Sequence, residues 1–139
     1  MDFDWNTEQQ DFRATVRAFL EANLPGNWEE LAHGPGSKAQ TVFSKQFCGA
    51  LADAGLLVPH WPARWGGRDA DPWIAFILAE EMWAAGEPRG AQYMNVNWIG
   101  TTLMRFGSAE QKATYLPEIA AGRGIWCQGF SEPSSGSDL

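Results

Sequence analysis

The stretch DPWIAFILAEEMWAAG, residues 71–86, decides the fold because it predicts a helix with almost no polar face. Asp71 followed by Pro72 is typical of a helix start, since the carboxylate can cap the first N–H groups and proline fits the first helical position. Gly86 is the residue type that ends a helix. A helix that is apolar nearly all round is buried on several sides. We therefore expect a central helix over 73–85.

Four other segments place apolar residues at helical spacing, which predicts a mainly α protein. The predicted helices are 8–24, 38–54, 93–106 and one from Ser108 to a stop at Gly122. Three of them follow the spacing of a capping box, a hydroxyl residue with Gln three positions later: Thr7 and Gln10, Ser37 and Gln40, Ser108 and Gln111. Pro117 lies inside the last helix, where its missing N–H predicts a kink or a break.

The segments between these helices read as connections. Residues 26–36 are rich in turn residues and predict a surface connection. Residues 56–62 are apolar, but Pro59 and Pro62 remove backbone donors, so we expect an extended linker followed by a loop at Gly66.

The residue preferences change after Gly124. Ile125, Trp126, Cys127 and Phe130 favour a strand, and the Pro, Ser and Gly residues that follow favour a turn. We therefore expect a helical domain over 1–123 and the beginning of a β domain over 124–139.

Composition excludes several classes of function. The net charge is −7 and no basic run occurs, which argues against nucleic acid as the main partner. No apolar run approaches the ~20 residues of a membrane span, and the N-terminus lacks a signal-peptide pattern. A cytoplasmic protein is expected. Cys48 and Cys127 lack metal-ligand spacing, so we expect two inert thiols and no metal site.

Residues 130–138 carry most of the chemistry that the sequence indicates. A turn rich in Ser and Gly after a strand can point several hydroxyl and N–H groups toward one ligand without using charged side chains. Ser131 and Ser137 supply hydroxyls, and Gly136 permits close approach of the backbone. Taken alone, such a segment is more often only a turn.

The order of residues from Phe130 to Asp138, FSEPSSGSD, resembles the flavin-binding signature of the acyl-CoA dehydrogenase family. Upstream segments are also similar to the family, and the likeness covers almost the whole chain. These segments are Pro59-x-x-Pro62 before Gly66-Gly67, Glu80-Glu81, and Phe106-Gly107-Ser108 leading to Leu116-Pro117. The sequence departs from the common pattern by Gln128, where many members have an aromatic residue, and by Ser134-Ser135 in place of Gly-Ala.

The resemblance implies the N-terminal helical bundle of the acyl-CoA dehydrogenase fold, ending in the first strand of its β domain. It also implies FAD as cofactor. Gln128, Gly129, Phe130, Ser131, Gly136 and Ser137 are the implied cofactor-binding residues. In this reading the Ser131 hydroxyl bonds near flavin N5, and Ser137 also faces the phosphopantetheine of the substrate.

Two residues of the fourth predicted helix are implied to line the acyl-chain pocket. They are Trp98 and Leu103, with ordinary core packing as the alternative. Adjacent Glu80 and Glu81 are not expected to act as an acid and base pair, because neighbouring helical residues point about 100° apart. Ion pairs or solvent contacts are expected for them instead. The catalytic base usually lies in a C-terminal domain, so the catalytic residues of this chain are unknown.

The implied reaction is the FAD-dependent α,β-dehydrogenation of an acyl-CoA thioester to the 2-enoyl-CoA. The implied partners are acyl-CoA, an electron-transfer flavoprotein as electron acceptor, and other subunits of a homo- or hetero-oligomer. One alternative is an acyl-CoA oxidase-like relative that passes electrons to oxygen. Another is a non-catalytic subunit or a fragment that needs a partner chain to complete the flavin site.

Overall fold

Helices dominate the computed structural model, which describes residues 4–33, 36–129, 131–134 and 136. Within these residues the α-helices are α1 (Thr7–Asn23), α2 (Trp28–Ala32), α3 (Lys38–Asp53), α4 (Pro72–Ala84), α5 (Gln92–Met94), α6 (Gly100–Phe106) and α7 (Ala109–Ala120). A 3₁₀ turn lies at Ala63–Trp65, and a π-helical segment at Asn95–Ile99 joins α5 to α6. The prediction of a mainly α chain is confirmed.

One apolar core holds the helices together. α1 packs along α4, α3 contacts α2 and α5, and α7 packs against α6, the π-helical segment and the 3₁₀ turn. The buried core side chains lie between Phe12 and Ile119 and include Val16, Leu51, Leu57, Trp61, Ile77, Met82, Val96 and Leu116. Burying side chains of this kind stabilises a domain by about 1.5–3 kcal/mol each.

The central helix α4 is buried on one side only, so the expectation of burial on several sides is wrong. Ile77 and Met82 are inaccessible to solvent, but Trp73, Phe76 and Trp83 keep 55%, 50% and 58% of their surface exposed. These three positions share one face of the helix, because spacings of three and seven residues return to the same side. The sequence pattern cannot distinguish this face from the buried one, since both are apolar.

The start of α1 lies one residue earlier than predicted. Asn6, rather than Thr7, is the N-cap: its side chain accepts a hydrogen bond from the Gln9 backbone, and the Gln9 side chain accepts one from the Asn6 backbone. Asparagine is as good a cap as a hydroxyl residue, so both registers were compatible with the sequence. The caps predicted at Ser37 and Ser108 are confirmed.

Residues 26–36 contain the short helix α2, where only a surface connection was predicted. Trp28 anchors it. This side chain is 7% exposed, and its Nε1 donates to the Ala85 carbonyl at 2.5 Å. The centroid of its ring lies 5.0 Å from that of Phe43. A single buried tryptophan can hold five residues in place although their propensity alone would not.

Residues 56–62 form turns in the core rather than an extended linker. The Trp61 backbone N–H donates to the Val58 carbonyl, and the Trp61 side chain is 1% exposed. The Trp61 ring lies against Gly100, where a Cβ atom would overlap the ring. This contact explains why the helix predicted over 93–106 carries a glycine at position 100.

Pro117 does not break α7, which runs without interruption from Ala109 to Ala120. Proline deprives the carbonyl four residues earlier of its N–H donor. That carbonyl belongs to Ala113, and both Ala113 and Pro117 are exposed, so water can replace the lost partner.

The strand predicted over 125–130 is not formed in the part of the chain that the structure describes. Residues 123–129 have no regular secondary structure, and Phe130 lies outside the described residues. A strand is stable only when its backbone groups pair with a neighbour. The domain division near residue 123 stays a prediction.

Candidate functional site

The segment after α7 is open to solvent at most of the predicted cofactor contacts that the structure describes. Gln128, Gly129 and Ser131 are exposed, and Gly136 is half-buried. Phe130 and Ser137, which were predicted to contact cofactor and substrate, lie outside the described residues.

The backbone of this segment has unused hydrogen-bonding capacity. Within the described part of the chain, the backbone groups of Gln128 and Gly129 form no hydrogen bond. A Cβ atom added at Gly129 would meet no other atom within 4 Å, so the space beside the backbone is open. Free N–H groups beside a serine hydroxyl match the edge of a flavin ring, which offers carbonyl and nitrogen acceptors. These groups are available to a ligand, and their contact with FAD stays a prediction.

A buried asparagine that the sequence reasoning missed fixes the beginning of this segment. Asn95 is 1% exposed and opens the π-helical segment. Its Nδ2 donates to the Gly124 carbonyl at 2.6 Å, and its Oδ1 accepts from the Trp126 N–H at 3.1 Å. An asparagine between the apolar positions of the helix predicted over 93–106 was the available signal, because such a residue is seldom buried without partners.

An aromatic contact also holds Trp126 in this segment. The Trp126 ring meets the ring of Tyr115 on α7 at 5.0 Å and nearly at right angles. Edge-to-face contacts of this kind add about 0.5–1.5 kcal/mol beyond the area they bury. The segment thus leaves the helical domain from two defined contacts.

The two residues predicted to line the acyl-chain pocket lie in different surroundings. Trp98 keeps 48% of its surface exposed and contacts Tyr93, with 6.3 Å between ring centroids. Leu103 is half-buried and packs against the core. Core packing therefore accounts for Leu103, whereas the exposed ring of Trp98 is free to meet a ligand. Their role in substrate binding stays a prediction.

The carboxylate pair on α4 is engaged in ion pairs, as expected. Arg13 contacts Glu80 at 2.5 Å and Glu81 at 2.7 Å, and Arg17 donates to Glu81 at 2.8 and 3.0 Å. The hydrogen bonds from Arg17 are the main reason that the pKa of Glu81 lies below its usual value. A carboxylate held in its ionised form by two arginines is a poor general base.

Two other ionisable side chains lack the properties of catalytic groups. Burial raises the pKa of the Cys48 thiol to about 12, so this thiol stays protonated and unreactive. Burial also lowers the pKa of His60, with a smaller contribution from the Arg89 charge. The described residues contain no group of three or more His, Cys, Asp or Glu side chains able to hold a metal ion. No helix among them is long and apolar enough to cross a membrane.

Comparison with known families gives a match over most of the chain. Residues 6–123 match the family described as "Acyl-CoA dehydrogenase, N-terminal domain". Acyl-CoA dehydrogenase IpdE1 of Mycolicibacterium smegmatis is 36% identical over 95% of this chain and 34% of its own length. The mitochondrial isovaleryl-CoA dehydrogenase of Pongo abelii is 31% identical over 95% of this chain and 30% of its own length. The chain thus spans about a third of the length of these relatives.

Solved structures share the same arrangement of helices. A structure titled Tcur3481-Tcur3483 steroid ACAD superposes with a TM-score of 0.82 and 29% identity, covering 99% of this chain and 35% of that one. The ChsE4-ChsE5 complex from Mycobacterium tuberculosis gives a TM-score of 0.80 and 27% identity, covering 99% of this chain and 34% of that one.

Proposed function

The chain belongs to the acyl-CoA dehydrogenase family, and from that premise we propose that it supplies the N-terminal part of a site that binds FAD and an acyl-CoA thioester. The reaction is the α,β-dehydrogenation of the thioester to the 2-enoyl-CoA. FAD supplies the hydride acceptor when it is bound. The residues of this chain bind and orient, and the carboxylate base is expected elsewhere in the site.

The observation that carries this proposal is the open, uncharged backbone at Gln128 and Gly129 beside the exposed Ser131. In a flavin site these N–H groups bind the pyrimidine side of the ring. The Ser131 hydroxyl donates toward N5, where electron density rises during hydride transfer. Trp98 and Leu103 contribute to the wall of the acyl-chain pocket in the same proposal, and Gly136 allows the loop to approach the cofactor closely.

The partners of the protein follow from the same premise. Acyl-CoA is the substrate, and an electron-transfer flavoprotein is the electron acceptor. We also propose an oligomer, homomeric or heteromeric, in which other parts of the protein complete the flavin site. One similar structure is that of a complex of two proteins, ChsE4 and ChsE5.

Ser131→Ala is expected to slow reduction of the bound flavin more than it affects folding. Loss of one hydrogen bond to a group that gains charge costs about 1–3 kcal/mol, or about 5- to 150-fold in rate. The measurement is anaerobic stopped-flow reduction by acyl-CoA in the complete, flavin-loaded protein. Ser134→Ala is the matched control, because the family commonly has glycine at that position. Equal reduction rates in Ser131→Ala and the unmodified protein would refute the assignment of Ser131.

Ser137→Ala is expected to weaken binding of acyl-CoA while FAD occupancy stays nearly unchanged. Loss of a neutral hydrogen bond to the phosphopantetheine should raise the dissociation constant about two- to twelve-fold. Spectral titration with a nonreactive acyl-CoA analogue measures this affinity, and the flavin content of the same sample gives the control. If the variant loses FAD but keeps its affinity for the analogue, Ser137 belongs to the cofactor alone.

A further inference from the structure

We propose that Asn95 is a positioning residue for the flavin-binding segment. Its side-chain amide forms the two hydrogen bonds that the backbone of one residue in a neighbouring parallel strand would form. The inference rests on the proposed function, because it concerns the segment that leads into Gln128, Gly129 and Ser131. In this proposal Asn95 sets where the segment begins and which way its backbone faces.

The hydrogen bonds of Asn95 have the pattern of parallel strand pairing. In a parallel pair, one residue donates to the carbonyl before its neighbour and accepts from the N–H after it. Asn95 donates to the carbonyl of Gly124 and accepts from the N–H of Trp126, so its amide brackets Ile125 in this way. The segment therefore has one paired position although residues 123–129 form no strand.

The amide of Asn95 is held firmly enough to act as an anchor. The residue is 1% exposed and lies at the start of the π-helical segment, Asn95–Ile99. A π-helical turn widens the backbone locally and occurs frequently at functional sites. Burial limits competition from water, so both hydrogen bonds count for more than they would at the surface.

The anchor lies close to the predicted cofactor contacts. Only Cys127 separates Trp126 from Gln128, and an extended chain rises about 3.3 Å per residue. A fixed Trp126 N–H therefore lies within about 7 Å along the chain of the first flavin-binding residue. Loss of the Asn95 amide frees the segment to shift along its own direction. A shift by one residue turns its side chains and backbone donors to the opposite face.

Asn97 provides a matched control on the same turn. Its Nδ2 donates to the Tyr93 carbonyl at 2.9 Å, a bond within its own helix that does not touch residues 124–126. Asn95→Leu and Asn97→Leu thus remove the same chemical group from neighbouring positions. Only the first removes contacts with the flavin-binding segment.

The test compares FAD binding by the complete protein and by Asn95→Leu, Asn95→Ser and Asn97→Leu. Each is freed of flavin and titrated with FAD well below its unfolding temperature. We expect Asn95→Leu to raise the dissociation constant of FAD about 5- to 150-fold, as expected for two lost hydrogen bonds, and to alter the visible absorption spectrum of the bound flavin. Asn97→Leu should stay within about twofold of the unmodified protein.

Asn95→Ser decides the question if the leucine variant does not fold. Its hydroxyl is polar but too short to reach both backbone groups. The affinity for FAD and the absorption spectrum of the bound flavin should therefore change in the same direction as in Asn95→Leu. Unmodified affinity and spectrum in the folded Asn95 variants would overturn the inference, as would an equal loss in Asn97→Leu. If the unmodified complete protein binds no FAD, the proposed function fails and this inference fails with it.

Discussion

Gly122→Ala is expected to lower the free energy of unfolding by about 2–5 kcal/mol. Gly122 has a φ of +65°, and an alanine in this left-handed conformation costs about 1–2 kcal/mol. An added Cβ would also lie 2.6 Å from the backbone carbon and oxygen of Cys48, which cannot move without displacing α3. Overpacking of this kind costs about 1–3 kcal/mol.

Gly55→Ala separates the two costs of the Gly122 substitution. Gly55 has a similar φ of +69°, but a Cβ there would meet no atom within 4 Å. This control should therefore lose only the conformational part, about 1–2 kcal/mol. Urea unfolding of both variants gives the two values. Equal losses of unfolding free energy in the two variants would mean that the Cys48 backbone does not obstruct a side chain at position 122.

Glu81→Gln is expected to destabilise the fold by about 2–3 kcal/mol at neutral pH. The substitution removes the charge that pairs Glu81 on α4 with Arg13 and Arg17 on α1, so it weakens the contact between the two helices. Breaking a fully buried pair costs about 3–5 kcal/mol, whereas an exposed pair contributes about 0–1 kcal/mol. The Glu81 side chain is 9% exposed but that of Arg17 is 63% exposed, so the value should lie between these limits.

Glu80→Gln is the matched control on the same helix. The Glu80 side chain is 45% exposed and, among the residues that the structure describes, pairs with Arg13 alone, so its loss should cost less than about 1 kcal/mol. Chemical denaturation at constant ionic strength compares the two variants. A larger loss in Glu80→Gln than in Glu81→Gln would contradict the importance given to burial.

The effect of Glu81→Gln should depend on pH in a defined direction. The pKa of Glu81 in the folded chain lies below its ordinary value of 4.5, so folding favours the ionised form. The stability that this carboxylate contributes is fully present above pH 4.5 and is lost as the pH falls through the folded-state pKa. The stability difference between the unmodified chain and Glu81→Gln should therefore be constant near neutrality and shrink below pH 4.5. A difference that stays constant down to pH 3 would exclude this linkage.

Helix positions were predictable because they depend on local chemistry. α3, α4 and α7 begin at the predicted caps, Ser37, Asp71 and Ser108, since a cap needs only a side-chain acceptor and free N–H groups one turn later. The resemblance of residues 130–138 to a flavin-binding signature was likewise readable from the order of residues alone. The family assignment that it suggested is confirmed.

Burial within apolar stretches was not predictable in the same way. The exposed and buried faces of α4 are both apolar, and packing against α1 and the shared core decides which side is covered. Trp28 and Trp61 illustrate the same limit: each organises a segment read as a connection, through contacts with residues distant in sequence. Such contacts depend on which helices become neighbours, and local residue preferences do not contain that information.

The sequence by itself therefore determined the longer helices, the caps of α3, α4 and α7, the family and the residue types of the candidate flavin segment. The tertiary structure alone decided how that segment is held, because Asn95 and Trp126 are 31 residues apart and meet only when the helix that carries Asn95 packs beside the end of α7. A hydrogen bond between such distant residues requires the loop between them to be closed, and packing of the whole core provides the free energy for that closure.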